Sequence, residues 1–206
     1  MPKRKVKPVV SRKSKTQRGA QRRSSTPAAR GRNLLAMQKK YIDVILDVGL
    51  NLQPGQRLLI VNNMIQGVDL SLAPFVRMVA EAAYRRGCPF VDVVWGDPLL
   101  EKVRLQAAPG DSLKQYPAWP SAARREHVAT ADAYLALRAD NPDLLAGIDA
   151  TRIGVYLEAI REHGKDLIPI MSRNHANWLV ATVSSPHWAA KVLPSVSDER
   201  RVAALW

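Results

Sequence analysis

Apolar positions along the chain fall into two alternating kinds of pattern. Leu34, Leu35, Tyr41, Ile42, Ile45, Leu46 and Val48 recur at helical spacing and predict a helix from Asn33 to Val48, with Gly49 as its C-cap. Pro54-Gly55 breaks the chain. The run RLLIV (Arg57–Val61) is too short and too uniformly apolar for a surface helix and predicts a buried strand. Leu72, Phe75, Val76, Val79, Ala80 and Ala83 mark a second helix over Ser71–Arg86, ended by Gly87, and PFVDVVW (Pro89–Trp95) predicts a second strand. Strand, helix and strand within about forty residues make a βαβ unit, whose strands are parallel.

The alternation continues. Helices are predicted over Asp97–Gln106 and Pro117–Ala129, a strand over Ala133–Arg138, a helix over Thr151–His163 and a strand over Asn177–Val183. Ser185 caps a short helix with Pro186 in its first turn. A last helix opens at Ser197 with Asp198 and Glu199 where the helix dipole favours negative charge, and its apolar stripe begins with Val202, Ala203, Leu205 and Trp206. The order predicts an α/β fold: an open, mainly parallel sheet with flanking helices.

Charge changes this picture at one end only. The net charge is +13, but residues 1–36 hold 12 of the 31 Lys and Arg and no acidic residue, leaving 19 basic and 18 acidic residues in 37–206. This N-terminal stretch has few large apolar groups and is expected to be a disordered basic tail. Four readings of it stand open: a solvated tail, a nucleic-acid arm using Lys3, Arg4, Lys5, Lys7, Arg12 and Lys13, a targeting signal, or an extension ahead of a natural start at Met37. An arm without aromatic residues would bind phosphate but could not stack bases.

Catalytic motifs are missing from the sequence. No phosphate loop, dinucleotide fingerprint, HExxH or CxxC occurs, and His127, His163, His175 and His187 have no paired ligand spacing. Cys88, the single cysteine, is expected to be buried and inert. Asp92 reads either as a solvent-facing strand position or as a buried carboxylate. The densest polar cluster is MSRNHANW, Met171–Trp178. Asn174, His175, Asn177 and Trp178 line a cleft in one reading and satisfy loop backbone in the other; Asn177-Trp178 also suits an interdomain joint. No run of about 18 apolar residues is present, so no membrane helix is expected; the single cysteine suits a reducing compartment, and the cytoplasm is the expected location.

Several blocks carry a resemblance. YIDVILDVGLNLQPGQRLLI, VRMVAEAAYRRGCPFVDVVWGDPLLEKVRLQAAPGDSLKQYPAW, NPDLLAGIDATRI, MSRNHANWLVATVSSPHWAAKVLP and the final ALW resemble, in order, the N-terminal half of the thermophilic metalloaminopeptidase family, the aminopeptidase T/S type. The segment NNMIQGVDLSLAP is longer than the family's usual link, and the basic tail has no counterpart in it.

The resemblance implies a two-domain enzyme, about twice this length, that removes N-terminal amino acids from peptides with two divalent metals such as zinc or cobalt. Its metal ligands belong to a C-terminal domain, so none is expected in this chain, and peptide is a substrate of the full-length enzyme only. Residues 37–194 are then expected to form the N-terminal domain and 195–206 a linker helix. Val202, Leu205 and Trp206 become an interdomain joint. Deprived of a partner, Ser197–Trp206 is expected to fray or to dock on a second copy, giving a self-associating chain or a homodimer.

Overall fold

A computed structural model of the chain describes residues 27–63, 66–130, 132–167, 169 and 176–206. Its elements are α1 (Pro27–Asp43), β1 (Leu58–Val61), β2 (Val68–Asp69), α2 (Ala73–Arg85), β3 (Val91–Val93), β4 (Trp95–Gly96), α3 (Pro98–Ala107), α4 (Trp119–Ala129), β5 (Ala133–Arg138), α5 (Ala150–Gly164), β6 (Trp178–Thr182), α6 (Pro186–Val192) and α7 (Asp198–Leu205). The main sheet has the order β3-β1-β5-β6 with every pair parallel, and β2 pairs in parallel with β4 in a separate ribbon. The predicted α/β architecture with a parallel sheet is the one observed.

Side-chain alternation along the strands gives two buried faces. Leu58, Ile60, Leu135 and Ala181 point into one core with Ile42, Ile45 and Leu46 from the first helix and Phe75, Val76 and Val79 from α2. Leu59, Val61, Tyr134 and Ala136 face the other way, the side on which α4 contributes buried Arg124, His127 and Val128. Burial on both faces explains why RLLIV and AYLALR are continuous apolar runs rather than alternating ones. A satellite core of Leu105, Leu113, Tyr156 and Ile160 joins α3 and α5 through the 3-10 turn Gly110–Lys114.

Several local expectations are corrected. Helix α1 begins at Pro27, so ten residues assigned to the tail are helical. The helix does not end in a left-handed glycine: it widens into a π-helical turn over Val44–Gly49, and the left-handed residue is Asn51, at φ 50°. Gly49 serves packing instead, because a Cβ there would sit 2.7 Å from a methyl of Leu179 on β6. Trp119, not Pro117, opens α4. Ser185 does cap α6, accepting from the Trp188 amide at 3.2 Å, whereas Ser197 occupies the N-cap of α7 without a side-chain cap bond.

The chain end also differs from expectation. Trp206 packs edge-on against Tyr41 with ring centroids 5.6 Å apart at 74°, and lies 5.6 Å from Phe75. The Tyr41 hydroxyl donates to the Thr182 carbonyl at 3.0 Å, and Ser184 Oγ donates to the Val202 carbonyl at 3.2 Å. Val202, Leu205 and Trp206 are half-buried against this chain's own α1, α2 and β6 region. The stripe of α7 therefore finds its apolar partner within the chain, and fraying or docking on a second copy is not needed to cover it.

Candidate functional site at the strand ends

A parallel sheet gathers the C-terminal ends of its strands on one side. Here the connection from β1 runs to β3 at one edge, and the chain then crosses back to β5 on the opposite flank of β1. The C-terminal ends of β1 and β5 are thus the point where the strand order reverses, the usual place for a binding crevice in an open α/β sheet. A cleft of about 510 Å³ opens at that point.

Its floor is built from residues that immediately follow the strands. Asn62 follows β1 and Asp140 follows β5, and Asn62 Nδ2 donates to Asp140 Oδ1 at 3.1 Å. Tyr134, buried on β5, donates its hydroxyl to the Asn63 carbonyl at 2.8 Å and so pins the loop leaving β1. The ribbon β2–β4 forms one wall. Its two chains approach so closely that a Cβ on Gly67 would lie 2.3 Å from the Trp95 carbonyl, and one on Gly96 would lie 2.7 Å from the Gly67 oxygen. Only glycine permits this close approach, and the neighbouring Gln66 and Trp95 both line the cleft.

Helices α3 and α5 bring the polar wall. Asp97 caps α3, accepting from the Leu99 and Leu100 amides at 2.9 and 3.3 Å. One turn later Glu101 accepts from Gln66 Nε2 on both carboxylate oxygens at 2.8 Å. Burial pushes the Glu101 carboxyl above the usual range, while hydrogen bonds from Tyr156 and Gln66 act in the opposite sense. Burial, with the Glu101 charge beside it, also raises the Tyr156 hydroxyl well above an ordinary phenol, and burial raises Tyr116. Arg104 stacks 5.5 Å above the Tyr156 ring and donates to the Ser112 and Gln115 carbonyls at 3.1 and 2.5 Å.

Beneath this wall sits Arg124, wholly buried. Its Nη1 donates to the Pro120 carbonyl at 2.8 Å, and its Nε and Nη2 have no hydrogen-bond partner. Burial lowers the guanidinium, and the Tyr134 and Tyr116 oxygens act against that lowering. The described residues lining the cleft include no His, Cys, Ser or Thr. Among these described lining residues there is no nucleophile–base pair of the Ser–His or Cys–His kind.

The residues singled out from the sequence lie elsewhere. Asn177 and Trp178 stand at the N-terminal end of β6, opposite the cleft. Asn177 Nδ2 donates to the Asn51 carbonyl at 2.9 Å, and its carbonyl accepts from the Tyr134 amide at 2.7 Å, so it ties loop to sheet. Trp178 is exposed on the edge strand. Asn174, His175 and the tail residues Lys3, Arg4, Lys5, Lys7, Arg12 and Lys13 lie outside the described residues. Asp92 is neither free nor fully buried: His127 bridges it at 3.3 Å to Asp132 at 2.9 Å. This knot also lies at the N-terminal end of the sheet. Cys88 is buried, as expected.

Metal chemistry does not fit these residues. Among the described residues no three His, Cys, Asp or Glu side chains come together as a metal-binding group. The cleft's carboxylates are already engaged, Asp97 in a helix cap, Asp140 with Arg138 and Asn62, and Glu101 with Gln66. Zinc sites use three or four His, Cys or carboxylate donors converging on one point, and no such set is assembled here.

A parallel sheet flanked by helices, with a cleft at its topological switch point, defines an open α/β domain. Comparison then places it more narrowly: residues 36–206 match the family described as thermophilic metalloprotease (M29), and the chain belongs to that family. It is 30% identical over 166 residues to aminopeptidase AmpS of Bacillus subtilis (strain 168), covering 81% of this chain and 39% of that protein. It is 32% identical over 168 residues to aminopeptidase T of Thermus thermophilus, covering 82% and 40%. The solved structure of wild-type AmpT from Thermus thermophilus superposes with a TM-score of 0.77 at 30% identity, covering 85% of this chain and 42% of that one. The chain spans about two fifths of the length of the curated relatives it matches, their N-terminal part.

Proposed function

We propose that residues 37–194 are the N-terminal, peptide-facing domain of an aminopeptidase whose metal-binding catalytic part lies outside these 206 residues, with 195–206 leading toward it. On this reading the chain alone does not cleave peptides. It holds and orients them at the strand-end cleft, and the two divalent metals belong to the other part. The observation that carries the reading is the extent of the match: the chain belongs to a peptidase family, spans about two fifths of the length of its curated relatives, and presents a polar and aromatic cleft at its switch point. Polarising a scissile carbonyl and activating water need a Lewis acid or a nucleophile that these lining residues do not supply.

A transplant tests this. Residues 37–206 are fused in place of the matching N-terminal segment of Thermus thermophilus aminopeptidase T. The expected result is a folded, metal-dependent enzyme that releases leucine from leucine p-nitroanilide. A folded chimera that binds its metals yet turns over no aminoacyl substrate overturns the proposal.

A further inference from the structure

We infer that the open edge of β6 is an interface between two copies of this chain, which join their sheets by antiparallel pairing of Trp178–Val180 about a two-fold axis at Leu179. The inference does not depend on what the strand-end cleft binds.

Backbone accounting exposes the edge. Strand β6 is last in the order β3-β1-β5-β6 and pairs only with β5. Trp178 lies level with Tyr134; the Tyr134 N–H donates to the Asn177 carbonyl at 2.7 Å and the Val183 N–H to the Arg138 carbonyl at 2.8 Å. In a parallel pair this register turns the N–H and C=O of Leu179 and Ala181 toward β5, and those of Trp178, Val180 and Thr182 outward. The outward Thr182 carbonyl accepts from the Tyr41 hydroxyl at 3.0 Å. Among the described residues nothing engages the outward groups of Trp178 and Val180. Natural edges are guarded by charge, proline or a bulge. Residues Trp178–Thr182 contain neither charge nor proline, and their register with β5 is unbroken.

The side chains beside this edge are apolar and uncovered on both faces of the sheet. On one face Tyr134 and Ala136 are buried, yet Trp178 and Val180, their neighbours in register, are 47% and 53% exposed. On the other face the end of the first helix runs along the strand in the opposite direction: Tyr41 bonds Thr182, Gly49 abuts Leu179, and the Asn51 carbonyl accepts from Asn177. Val48, next to Gly49, is 75% exposed.

A second copy of the same edge is the occupant that fits. Only another strand satisfies a row of outward backbone groups, and an identical, uncharged edge is offered by every other copy. Tyr41 holds Thr182, which confines the pairing to Trp178 and Val180. Centred on Leu179, an antiparallel pair sets each Trp178 opposite the partner's Val180. Two residues from each copy, each donating once, make four hydrogen bonds and leave none of these groups unpaired. An aromatic ring opposite a β-branched side chain is a favourable cross-strand pair, and here it forms twice. The axis runs normal to the sheet beside Gly49, so the two Val48 side chains lie on the same face of the joined sheet. Such a contact is isologous and closes at two copies.

The experiment follows the 206-residue chain at pH 7 by sedimentation equilibrium and by amide hydrogen exchange at low and high protein concentration. So short an interface is below standard size, and the dimer is expected to form between about 1 μM and about 1 mM. Raising the concentration across that range is expected to slow exchange of the Trp178 and Val180 amides at least about ten-fold, with the α7 amides unchanged. Val180→Lys, at an exposed position, is expected to weaken association at least about ten-fold with an unchanged circular dichroism spectrum. Leu99→Lys, at an equally apolar position on α3 that is 61% exposed, is expected to leave association unchanged. If Val180→Lys does not fold, the exchange of the Trp178 and Val180 amides in the wild-type chain decides. A chain that stays monomeric throughout, exchange at Trp178 and Val180 that ignores concentration, protection that grows on α7 instead, an unaffected Val180→Lys dimer, or equal weakening by both lysine variants overturns the inference.

Discussion

Trp206 closes the chain against Tyr41, ring edge to ring face, with centroids 5.6 Å apart. The same tyrosine ties α1 to the end of β6 through the Thr182 carbonyl. One aromatic pair therefore joins the first and last described helices to the sheet. Trp206→Ala is expected to cost about 2 kcal/mol in urea unfolding, below the 3–5 kcal/mol of a fully buried aromatic because the ring is only half covered. Amides of α7 should be protected from hydrogen exchange in a dilute monomer. Protection that appears only at high protein concentration would mean that a second copy covers the helix.

The glycine crossing of β2 and β4 makes a sharper prediction. Gly67→Ala places a methyl 2.3 Å from the Trp95 backbone, which cannot yield without breaking the ribbon. A loss of about 2–4 kcal/mol is expected, together with a change in Trp95 fluorescence as the cleft wall moves. An alanine variant of full stability would show that the two chains do not cross so closely.

At the other end of the sheet, Asp132 Oδ2 accepts from three side chains: Arg57 at 2.7 Å, His127 at 2.9 Å and Thr130 at 2.9 Å. Asp132→Ala leaves Nδ1 of buried His127 and the Arg57 guanidinium without their carboxylate and is expected to cost about 3 kcal/mol. Thr130→Ala, which removes one donor and leaves the others paired, should cost under about 1 kcal/mol. Equal small losses in both variants would mean that the knot contributes little.

Glu101 links stability to pH with a definite sign. Its folded-state pKa lies above the ordinary value because burial disfavours the charge. The folded chain then holds more protons than the unfolded chain between the two pKa values, and stability falls as pH rises through that window. Glu101→Gln removes the ionisable group. It should match or exceed the wild type at pH 7 and lose that advantage below the window, read from urea midpoints at each pH. A variant less stable at pH 7 than at pH 4, relative to wild type, would contradict the assigned direction.

The strands were readable because two of them are buried on both faces: RLLIV and AYLALR have no polar interruption to confuse with a helix. The cleft was not readable in the same way. Asn62, Asp97 and Asp140 are ordinary polar residues until the parallel register sets them side by side, and Glu101 is an unremarked acid in a short polar helix. A topological cue existed, since each follows closely on a predicted parallel strand, where binding groups gather. The same cue argues against Asn177-Trp178 as a cleft, because that pair precedes its strand. The π-turn at Val44–Gly49 has no local signature; it reflects the need to bury Ile45 and Leu46 together under the sheet while Gly49 clears Leu179.

The central claim, that the hydrolytic machinery is not in this chain, is tested most directly by turnover. The purified 206-residue protein is assayed on leucine p-nitroanilide with added zinc or cobalt, with and without a chelator, and with aminopeptidase T of Thermus thermophilus as the positive control. The account predicts no release above the protein-free rate under any metal. Metal-dependent release by the chain alone that the chelator abolishes would contradict it.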